Sequence, residues 1–177
     1  MSAVARRAFG SHLILGGARS GKTAYALALA HASGLEKWML ATAVSEDDEM
    51  AERIALHRVE RGGEWQTIEE HVHLAGSLIS TAAPNRIIVV DCLTLWLSNL
   101  SFREFDLAAS MHELAAVLPA LNGPVIFVSN ELGMGLSPET SLGRRFRDAQ
   151  GRLNQMMAAA CAGVTFVAAG LPLVLKG

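Results

Sequence analysis

The feature that most constrains this chain is the stretch from Gly16 to Thr23, which reads GGARSGKT. Its residues fit the pattern G-x-x-x-x-G-K-[ST] without a gap. A short apolar run precedes the stretch at 12–15, and an alanine-rich run suited to a helix follows from Lys22. A strand, a glycine-rich turn and a helix in this order are typical of a loop that binds phosphate groups. The sequence therefore predicts a nucleotide-binding protein.

Each part of this loop has a physical purpose. Backbone N–H groups can surround a phosphate only where no Cβ blocks their approach, which explains the glycines. The helix that begins near Lys22 directs its N-terminal amides and its dipole at the same phosphates. We expect the catalytic Lys22 ammonium to reach the β- and γ-phosphates, and the Thr23 hydroxyl to bind Mg²⁺. The predicted nucleotide-binding residues of the loop are Gly16, Gly17, Ala18, Arg19, Ser20, Gly21, Lys22 and Thr23.

Length and composition favour one soluble domain and exclude several classes of function. The 177 residues fit a single domain, and 51% hydrophobic residues supply a core. With 15 basic and 17 acidic residues the net charge is −2, so no basic surface indicates nucleic acid as a partner. No apolar run reaches the roughly 20 residues that span a bilayer. Cys92 and Cys161 lie in apolar stretches, which suits core positions and a reducing cytoplasm.

Predicted strands and helices alternate along the chain. Strands are predicted at 12–15, 38–42, 64–69, 87–90, 125–129 and 164–169, and helices at 22–31, 46–61, 72–82, 93–100, 105–121 and 140–161. A turn at 170–172 and a strand at 173–176 close the chain as a hairpin. This alternation predicts a three-layer α/β sandwich with a mainly parallel sheet and a C-terminal antiparallel hairpin. Residues 1–11 are expected to form a flexible arm, and residues 12–177 a single domain.

Asp91 directly follows the buried strand predicted at 87–90. An acidic residue there lies at the carboxyl edge of a parallel sheet, where folds of this class bind ligands. Many strands end in Asp, but a phosphate loop in the same sheet favours a role in holding Mg²⁺ together with Thr23. No second metal site is indicated, because His71 and His73 lack a third ligand at suitable spacing and are expected at the surface.

His57 permits two interpretations. It follows Arg53 by one helical turn and is flanked by Arg58 and Arg61, so it fits a surface histidine in a solvated run of charge. It also fits a nucleophile, because neutral imidazole can attack phosphorus near pH 7 while arginines hold the phosphates. Spacing alone favours the surface interpretation, and the residue chemistry does not decide between the two.

The segment after the strand at 125–129 is the other candidate for contacts with a substrate or nucleotide. Asn130 and Glu131 can bind hydroxyl groups or a base, and glycine and proline residues follow them. The first half of the next helix carries Arg147 and Asp148, with Asn154 beyond them. Basic residues near a helix N-terminus oppose the helix dipole, which hints at ligand contacts, although a solvated face is an equal alternative.

Taken together, these stretches resemble one family, the bifunctional adenosylcobinamide kinases / adenosylcobinamide-phosphate guanylyltransferases of cobalamin assembly. The phosphate loop is generic, whereas the blocks at 130–135 and 147–155 are specific. The resemblance runs along nearly the whole chain from residue 12. The matching blocks are GGARSGKT at 16–23, ATA at 41–43, DDEM at 47–50, RI at 53–54, HR at 57–58, ER at 60–61, Trp65, VDCLTLW at 90–96, VSNELGMG at 128–135, LGR at 142–144, FRD at 146–148, GRLNQ at 151–155 and AGLP at 169–172.

The resemblance implies a fold like that of the RecA-type nucleotide-binding proteins, and a homotrimer. It implies that ATP or GTP phosphorylates the aminopropanol hydroxyl of a corrinoid, adenosylcobinamide. GTP then transfers GMP to that phosphate, giving adenosyl-GDP-cobinamide and pyrophosphate. The resemblance also implies that His57 becomes guanylylated, with Arg58 among the nucleotide-binding residues, and this favours the nucleophile over the surface histidine.

Two other functions are open from the sequence. One is a single-activity kinase or guanylyltransferase on the same scaffold. The other is a non-catalytic switch that uses nucleotide hydrolysis to control a partner. Covalent retention of GMP separates a guanylyltransferase from the switch, because a switch binds GTP without becoming labelled. Neither the preference for ATP or GTP nor the location of the corrinoid pocket follows from the sequence.

Overall fold

Apolar runs form the strands of one β-sheet. The computed structural model describes residues 10–44 and 63–177 of the chain. Within these ranges the strands are β1 (His12–Gly16), β2 (Glu36–Ala41), β3 (Trp65–Glu69), β4 (Arg86–Asp91), β5 (Val125–Asn130), β6 (Gly163–Ala168) and β7 (Leu171–Lys176). Each coincides with a predicted strand apart from shifts of one or two residues at its ends.

The described helices fill the predicted intervals. They are α1 (Lys22–Ala32), α2 (Leu74–Thr81), α3 (Leu93–Phe102), α4 (Leu107–Val117) and α5 (Ser141–Ala160), with a 3₁₀ turn at Leu118–Ala120. Thr140 caps α5 by accepting a hydrogen bond from the N–H of Gly143 at 3.1 Å. None of these helices is long and apolar enough to cross a bilayer. The helix predicted at 46–61 lies outside the described residues, as do His57 and Arg58.

The strand order β3-β2-β4-β5-β1-β6-β7 places β1 between β5 and β6, and it is parallel to both. Strands β2, β3, β4 and β5 are parallel as well. In this register Gly16 pairs with Asn130 and Asp91 pairs with Ala41. The carboxyl ends of these strands therefore meet at one edge of the sheet, where the phosphate loop also begins. The prediction of a mainly parallel sheet is confirmed.

Helices cover both faces of the sheet. Successive residues of β1 point in opposite directions, so Leu13 and Leu15 join one apolar cluster and Ile14 joins another. Helices α2 to α5 pack on the first face, and α1 buries Ala26 and Ala30 against the second. Because these strands are buried on both faces, they read as continuous apolar runs. This is the predicted three-layer α/β sandwich.

The C-terminal hairpin has a shorter turn than predicted. Ala168 pairs with Leu171, so the turn consists of Ala169 and Gly170, whose φ angles are 51° and 78°. Two residues with positive φ match the twist of the strands that they join. Leu171 and Pro172, which were predicted to turn, lie in β7 instead. The hairpin tolerates a proline there because β7 is an edge strand.

Two glycine substitutions test this packing by their effects on the free energy of unfolding. A Cβ on Gly123 would overlap the carbonyl oxygen of Ala83, whereas a Cβ on Gly76 would lie within 4 Å of no described residue outside its own stretch of α2. We expect Gly123→Ala to lower the free energy of unfolding by about 2 kcal/mol, because backbone has to move. Gly76→Ala should raise it by up to about 1 kcal/mol through helix propensity. Urea unfolding followed by circular dichroism measures both, and equal values for the two variants would contradict the described contact.

Candidate functional site

The phosphate loop begins where β1 ends, and its first glycine has no room for a side chain. Gly16 has a φ of 155°, and a Cβ there would overlap the carbonyl oxygen of Val167 and lie 2.7 Å from Ser20 Oγ. Gly21, the residue before α1, has a φ of 96°. By contrast, a Cβ on Gly17 would lie within 4 Å of no described residue other than its own chain neighbours. Gly16 is therefore required by the fold, whereas the space beside Gly17 is open.

Neighbouring strands hold this loop in place. The N–H of Glu131, just beyond β5, donates to the carbonyl oxygen of Gly16 at 3.0 Å. On the other side, the N–H of Gly170 in the hairpin turn donates to the carbonyl oxygen of Ser20 at 2.8 Å. The loop adds a bond of its own, from the N–H of Ser20 to the carbonyl oxygen of Gly17. With two of its carbonyls directed at the scaffold, the loop keeps one shape.

Lys22 is the basic residue at the centre of the loop. It is 7% exposed, and its ammonium donates to the carbonyl oxygen of Gly17 and to Ser20 Oγ, the latter at 3.5 Å. Burial lowers the pKa of Lys22 from its ordinary value, while the nearby negative charge of Asp91 opposes that shift. A buried cation that spans the loop is suited to exchange these contacts for phosphate oxygens.

Asp91 and Thr23 meet beside the loop, as predicted from their positions in the sequence. Thr23 lies in the first turn of α1, and its hydroxyl donates to Asp91 Oδ2 at 3.4 Å. Asp91 is the last residue of β4, at the carboxyl edge of the sheet. A hydroxyl and a carboxylate at this distance offer the hard oxygen ligands that Mg²⁺ prefers. The donor set therefore fits a magnesium ion next to bound phosphates.

Both cysteines are buried, free and unreactive. Burial raises the pKa of Cys92 to about 12 and that of Cys161 to about 11. A thiol with such a pKa is almost entirely protonated near neutral pH and is a poor nucleophile. Cys92 therefore contributes to the core beside Asp91 and not to covalent chemistry, as the sequence predicted.

The predicted loop residues lie around a buried polar network that joins β5 to α5. Ser129 Oγ donates to Asn154 Oδ1 at 2.7 Å, and Gln150 Nε2 donates to both. Asn154 Nδ2 then donates to the carbonyl oxygen of Asn130 at 3.0 Å. Asn154 thus fixes the backbone of the loop and is 5% exposed. Glu131 is half-buried and accepts a hydrogen bond from the N–H of Gly133.

The basic residues of α5 contact the loop that precedes the helix. Arg144 donates to the carbonyl oxygens of Pro138 and Glu139, at 3.0 and 2.7 Å. Arg147 pairs with Asp148 at 3.2 Å and also donates to Ser137 Oγ. These bonds offset the unfavourable placement of positive charge near a helix N-terminus. Arg147 and Asp148 are therefore beside the loop that carries Asn130 and Glu131.

The two histidines expected at the surface differ in exposure. His73 is exposed and packs edge-on against Phe105, whereas His71 is half-buried with Nδ1 at 3.3 Å from the carbonyl oxygen of Thr42. Across residues 10–44 and 63–177, no group of three His, Cys, Asp or Glu side chains is placed to hold a metal ion. A magnesium ion next to Asp91 would therefore need the Thr23 hydroxyl and further ligands from bound phosphates.

Sequence reasoning missed three buried polar residues near this edge, namely Thr42, Asn99 and Gln150. They are 0%, 9% and 0% exposed. A signal existed for Asn99, which lies between leucines 97 and 100 of helix α3, because a buried amide needs hydrogen-bond partners. Its Nδ2 donates to the carbonyl oxygens of Thr42 and His71. Thr42 carried no such signal, since threonine is common in strands.

The loop, the lysine at its centre and the Thr23–Asp91 pair at the carboxyl edge of a parallel sheet define a P-loop nucleotide-binding protein with a RecA-like fold. Among solved structures, the ATPase EscN of the enteropathogenic Escherichia coli type III secretion system matches with a TM-score of 0.57. It is 12% identical, and the match covers 91% of this chain and 43% of that one. A likeness at this identity concerns the fold alone.

Sequence comparisons are more specific. The family model for cobinamide kinase / cobinamide phosphate guanyltransferase matches residues 12–175. The chain is 48% identical to the bifunctional adenosylcobalamin biosynthesis protein CobP of Pseudomonas aeruginosa, over 93% of this chain and 96% of that protein. It is 37% identical to CobU of Escherichia coli K12, over 93% and 98%. The chain therefore belongs to the cobinamide kinase / cobinamide phosphate guanyltransferase family and is an enzyme with these two activities.

Two lysine substitutions, one in the loop and one outside it, test the site. We expect Lys22→Met to weaken GTP binding about 30-fold, because a charge-assisted hydrogen bond contributes about 2 kcal/mol. Its unfolding free energy should stay equal or rise, since a buried charge is removed. Lys37→Met is the control, because Lys37 forms its ion pair with Glu64 instead. Titration calorimetry and urea unfolding measure these effects. Unchanged GTP affinity in Lys22→Met would contradict the assignment.

Proposed function

We propose that this enzyme carries out two successive reactions on one corrinoid. In the first, ATP or GTP phosphorylates the aminopropanol hydroxyl of adenosylcobinamide. In the second, GMP passes from GTP to the new phosphate through a guanylylated His57, giving adenosyl-GDP-cobinamide and pyrophosphate. The observation that carries this proposal is the family match over residues 12–175, a range that includes His57 and its neighbouring arginines.

The described residues on either side of the segment with His57 show where the chain leaves the sheet and where it returns. Thr42 follows β2 directly, and its N–H donates to the carbonyl oxygen of Asp91 at 3.1 Å. The described residues before His57 therefore end near the same edge as the phosphate loop, and those after it enter β3 from the opposite edge. Arg58 is proposed to bind the phosphates of the nucleotide, since guanidinium groups pair with phosphate oxygens through two hydrogen bonds.

In the kinase reaction the protein supplies position and charge. The corrinoid hydroxyl oxygen attacks the γ-phosphorus, the bond from that phosphorus to the β,γ-bridging oxygen breaks, and the hydroxyl proton passes to solvent. The Lys22 ammonium would leave the carbonyl oxygen of Gly17 and bind the β- and γ-phosphates. The amides of the loop, from Gly17 to Thr23, would surround the same oxygens. Little covalent chemistry is required of the protein in such a transfer.

In the guanylyl transfer a nitrogen of His57 forms a bond to the α-phosphorus of GTP, and pyrophosphate leaves with the electrons of the broken phosphorus–oxygen bond. Lys22 would stabilise the charge on that leaving group. A phosphate oxygen of the corrinoid then attacks the same phosphorus. The phosphorus–nitrogen bond breaks and returns the imidazole to its starting state.

We propose that Mg²⁺ serves both reactions, held by Thr23 and Asp91. The bound ion would neutralise phosphate charge as it develops. The 3.4 Å approach of the Thr23 hydroxyl to Asp91 Oδ2 supports this site, because two oxygen ligands converge beside the loop.

The loop after β5 is proposed to contact the substrate or the nucleotide. Asn130 and Glu131 are half-buried at the carboxyl edge of the sheet, next to Gly16. We propose the same role for three residues of α5 that bond this loop or each other. Arg147 donates to Ser137 in the loop and pairs with Asp148, and Asn154 donates to the carbonyl oxygen of Asn130. Their bonds support a loop whose shape is set before a ligand arrives.

Covalent labelling tests the proposal. We expect wild-type enzyme incubated with Mg²⁺ and GTP labelled at the α-phosphorus to retain label after denaturation, and His57→Ala to retain none. The label should be lost in acid and kept in alkali, as is characteristic of a bond between phosphorus and a histidine nitrogen. His112→Ala is the control, because His112 is exposed on α4 and bonds the carbonyl oxygen of Ala108.

Two outcomes would contradict the guanylylated histidine. One is a wild-type enzyme that binds GTP yet retains no label, which would leave a kinase or a nucleotide-dependent switch. The other is His57→Ala labelled to the same extent as wild type, which would move the nucleophile to a different residue. Retention of label by His112→Ala, with loss in His57→Ala, supports the proposal.

We further propose that the enzyme is a homo-oligomer, a trimer by its resemblance to the family, and that β7 contributes to the interface. All six residues of β7 are exposed, including Leu171, Leu173, Val174 and Leu175, which are 57 to 72% exposed. An apolar edge strand of this kind is prone to pair with another chain. Contact of β7 with a different surface of a neighbouring copy would cover it in a trimer.

Measurement of mass in solution tests this interface. We expect wild-type protein to exceed the 18.8 kDa of one chain, and Leu173→Asp to shift it towards that value, because a charge cannot be buried in an apolar contact. Phe102→Asp is the control, since Phe102 is 75% exposed at the end of α3, away from β7. Light scattering after size-exclusion chromatography gives the masses. A monomeric wild type would refute the oligomer, and an unchanged Leu173→Asp would refute the role of β7.

The remaining proposals concern organisation and location. We propose that residues 12–177 form one catalytic domain preceded by an arm at 1–11, which the extent of the family match supports. Within that arm, the carbonyl oxygen of Ser11 accepts hydrogen bonds from Ala162 and Gly163. Two free, buried cysteines support a cytoplasmic location, where thiols stay reduced.

A further inference from the structure

Thr42 makes an unusual set of contacts with the end of β4. It is completely buried, and its hydroxyl lies between two backbone groups of Cys92. The hydroxyl oxygen accepts a hydrogen bond from Cys92 N at 2.8 Å and donates its own proton to the carbonyl oxygen of Cys92 at 2.7 Å. The N–H of Thr42 donates to the carbonyl oxygen of Asp91 at 3.1 Å. Three hydrogen bonds from one residue therefore hold the backbone of Asp91 and Cys92.

Asn99 in turn holds the backbone of Thr42. The carbonyl oxygen of Thr42 accepts a hydrogen bond from Asn99 Nδ2 at 2.8 Å, and the same amide donates to the carbonyl oxygen of His71 at 3.1 Å. Asn99 is 9% exposed within helix α3. Burying an amide and a hydroxyl costs free energy that an apolar pair would avoid, and hydrogen bonds offset that cost. The arrangement fixes the location of Thr42 relative to the sheet.

These contacts act on the backbone of Asp91, the proposed ligand of the metal ion. The side chain of Asp91 leaves a backbone that is bonded by Thr42 on one side and paired with β5 on the other. Its carboxylate has to reach the Thr23 hydroxyl, 3.4 Å away, to complete a pair of oxygen ligands. Cys92 cannot set that direction by its own side chain, because its thiol is buried in the apolar cluster beneath. The direction of the Asp91 carboxylate depends on how the peptide after Asp91 is held.

We infer that Thr42 is a positioning residue for the metal site: its buried hydroxyl fixes the Asp91–Cys92 backbone and so aims the Asp91 carboxylate beside Thr23. This inference rests on the proposed role of Asp91 in binding Mg²⁺. Because Thr42 is completely buried, it would act through Asp91 and not by direct contact with nucleotide or metal. Residues that orient a metal ligand in this way typically change metal affinity by about 10- to 100-fold when they are removed.

The test compares variants that keep or lose the hydroxyl. Thr42→Val fills the same space without the hydroxyl, Thr42→Ser retains it, and Thr42→Cys replaces it with a weak hydrogen-bonding thiol. Thr165→Val is the matched control, because Thr165 is 1% exposed in β6 and its hydroxyl bonds His12 Nε2 at 2.9 Å. The probe is Mn²⁺, titrated into each protein saturated with GDP and followed by electron paramagnetic resonance. GDP affinity in EDTA and thermal unfolding are measured in parallel.

We expect Thr42→Val to weaken Mn²⁺ binding at least about tenfold, while GDP affinity in EDTA stays within about twofold of wild type. Thr42→Ser should bind Mn²⁺ like wild type, and Thr42→Cys should weaken binding in the same direction as valine. Thr165→Val should lower the melting temperature and leave Mn²⁺ affinity unchanged. This pattern separates a role in aiming Asp91 from a general loss of stability.

The Asp91→Asn variant distinguishes a failure of the inference about Thr42 from a failure of the proposed metal site. If Asp91→Asn weakens Mn²⁺ binding but Thr42→Val and Thr42→Cys do not, Thr42 is a structural residue and the inference is wrong, while the metal site stands. If Asp91→Asn itself binds Mn²⁺ like wild type, the proposed metal role of Asp91 fails and the inference fails with it. If Thr42→Val does not fold, the comparison of Thr42→Cys with Thr42→Ser decides in the same way.

Discussion

Close backbone packing at Gly16 is the constraint on which the rest of the site depends. At this point β1 passes so near to β6 that a Cβ would overlap the carbonyl oxygen of Val167. The same residue accepts a hydrogen bond from the backbone beyond β5. The phosphate loop therefore starts from a point held between two parallel neighbours. The hairpin turn holds the loop again at Ser20. A loop held in this way needs little reorganisation when phosphates arrive, which reduces the cost of binding.

Polar residues at the carboxyl edge serve one common purpose, although they come from distant parts of the chain. Two buried clusters lie on one side of the phosphate loop, because β5 and then β4 follow β1 in that direction: Thr42 with Asn99 near the end of β4, and Ser129 with Asn154 near the end of β5. Each cluster bonds backbone groups of a strand end. Parallel strands leave such groups unpaired where they stop, and buried groups without partners are costly. The side chains that pair them also give the edge a defined shape, which a site for charged ligands requires.

How much of the site the sequence predicted depends on the range of the interactions. The meeting of Asp91 with Thr23 was predictable, because a strand end and a phosphate loop in one parallel sheet share an edge. The contacts of Arg144 and Arg147 were not, since a basic run on a helix reads equally well as a solvated face. The turn at Ala169 and Gly170 was placed too late because the proline at 172 reads as a turn residue, although it lies in an edge strand.

By itself, the sequence determined the local elements and the chemistry of the loop. Its apolar runs, glycines and caps specify strands, turns and helices through interactions between near neighbours, and the GGARSGKT stretch specifies phosphate binding. Tertiary structure decided which buried polar groups meet. Thr42 and Cys92 are 50 residues apart, and their bonds exist because β2 and β4 adopt one register. Register is set by the packing of the whole sheet against its helices, so no local pattern around either residue encodes that contact.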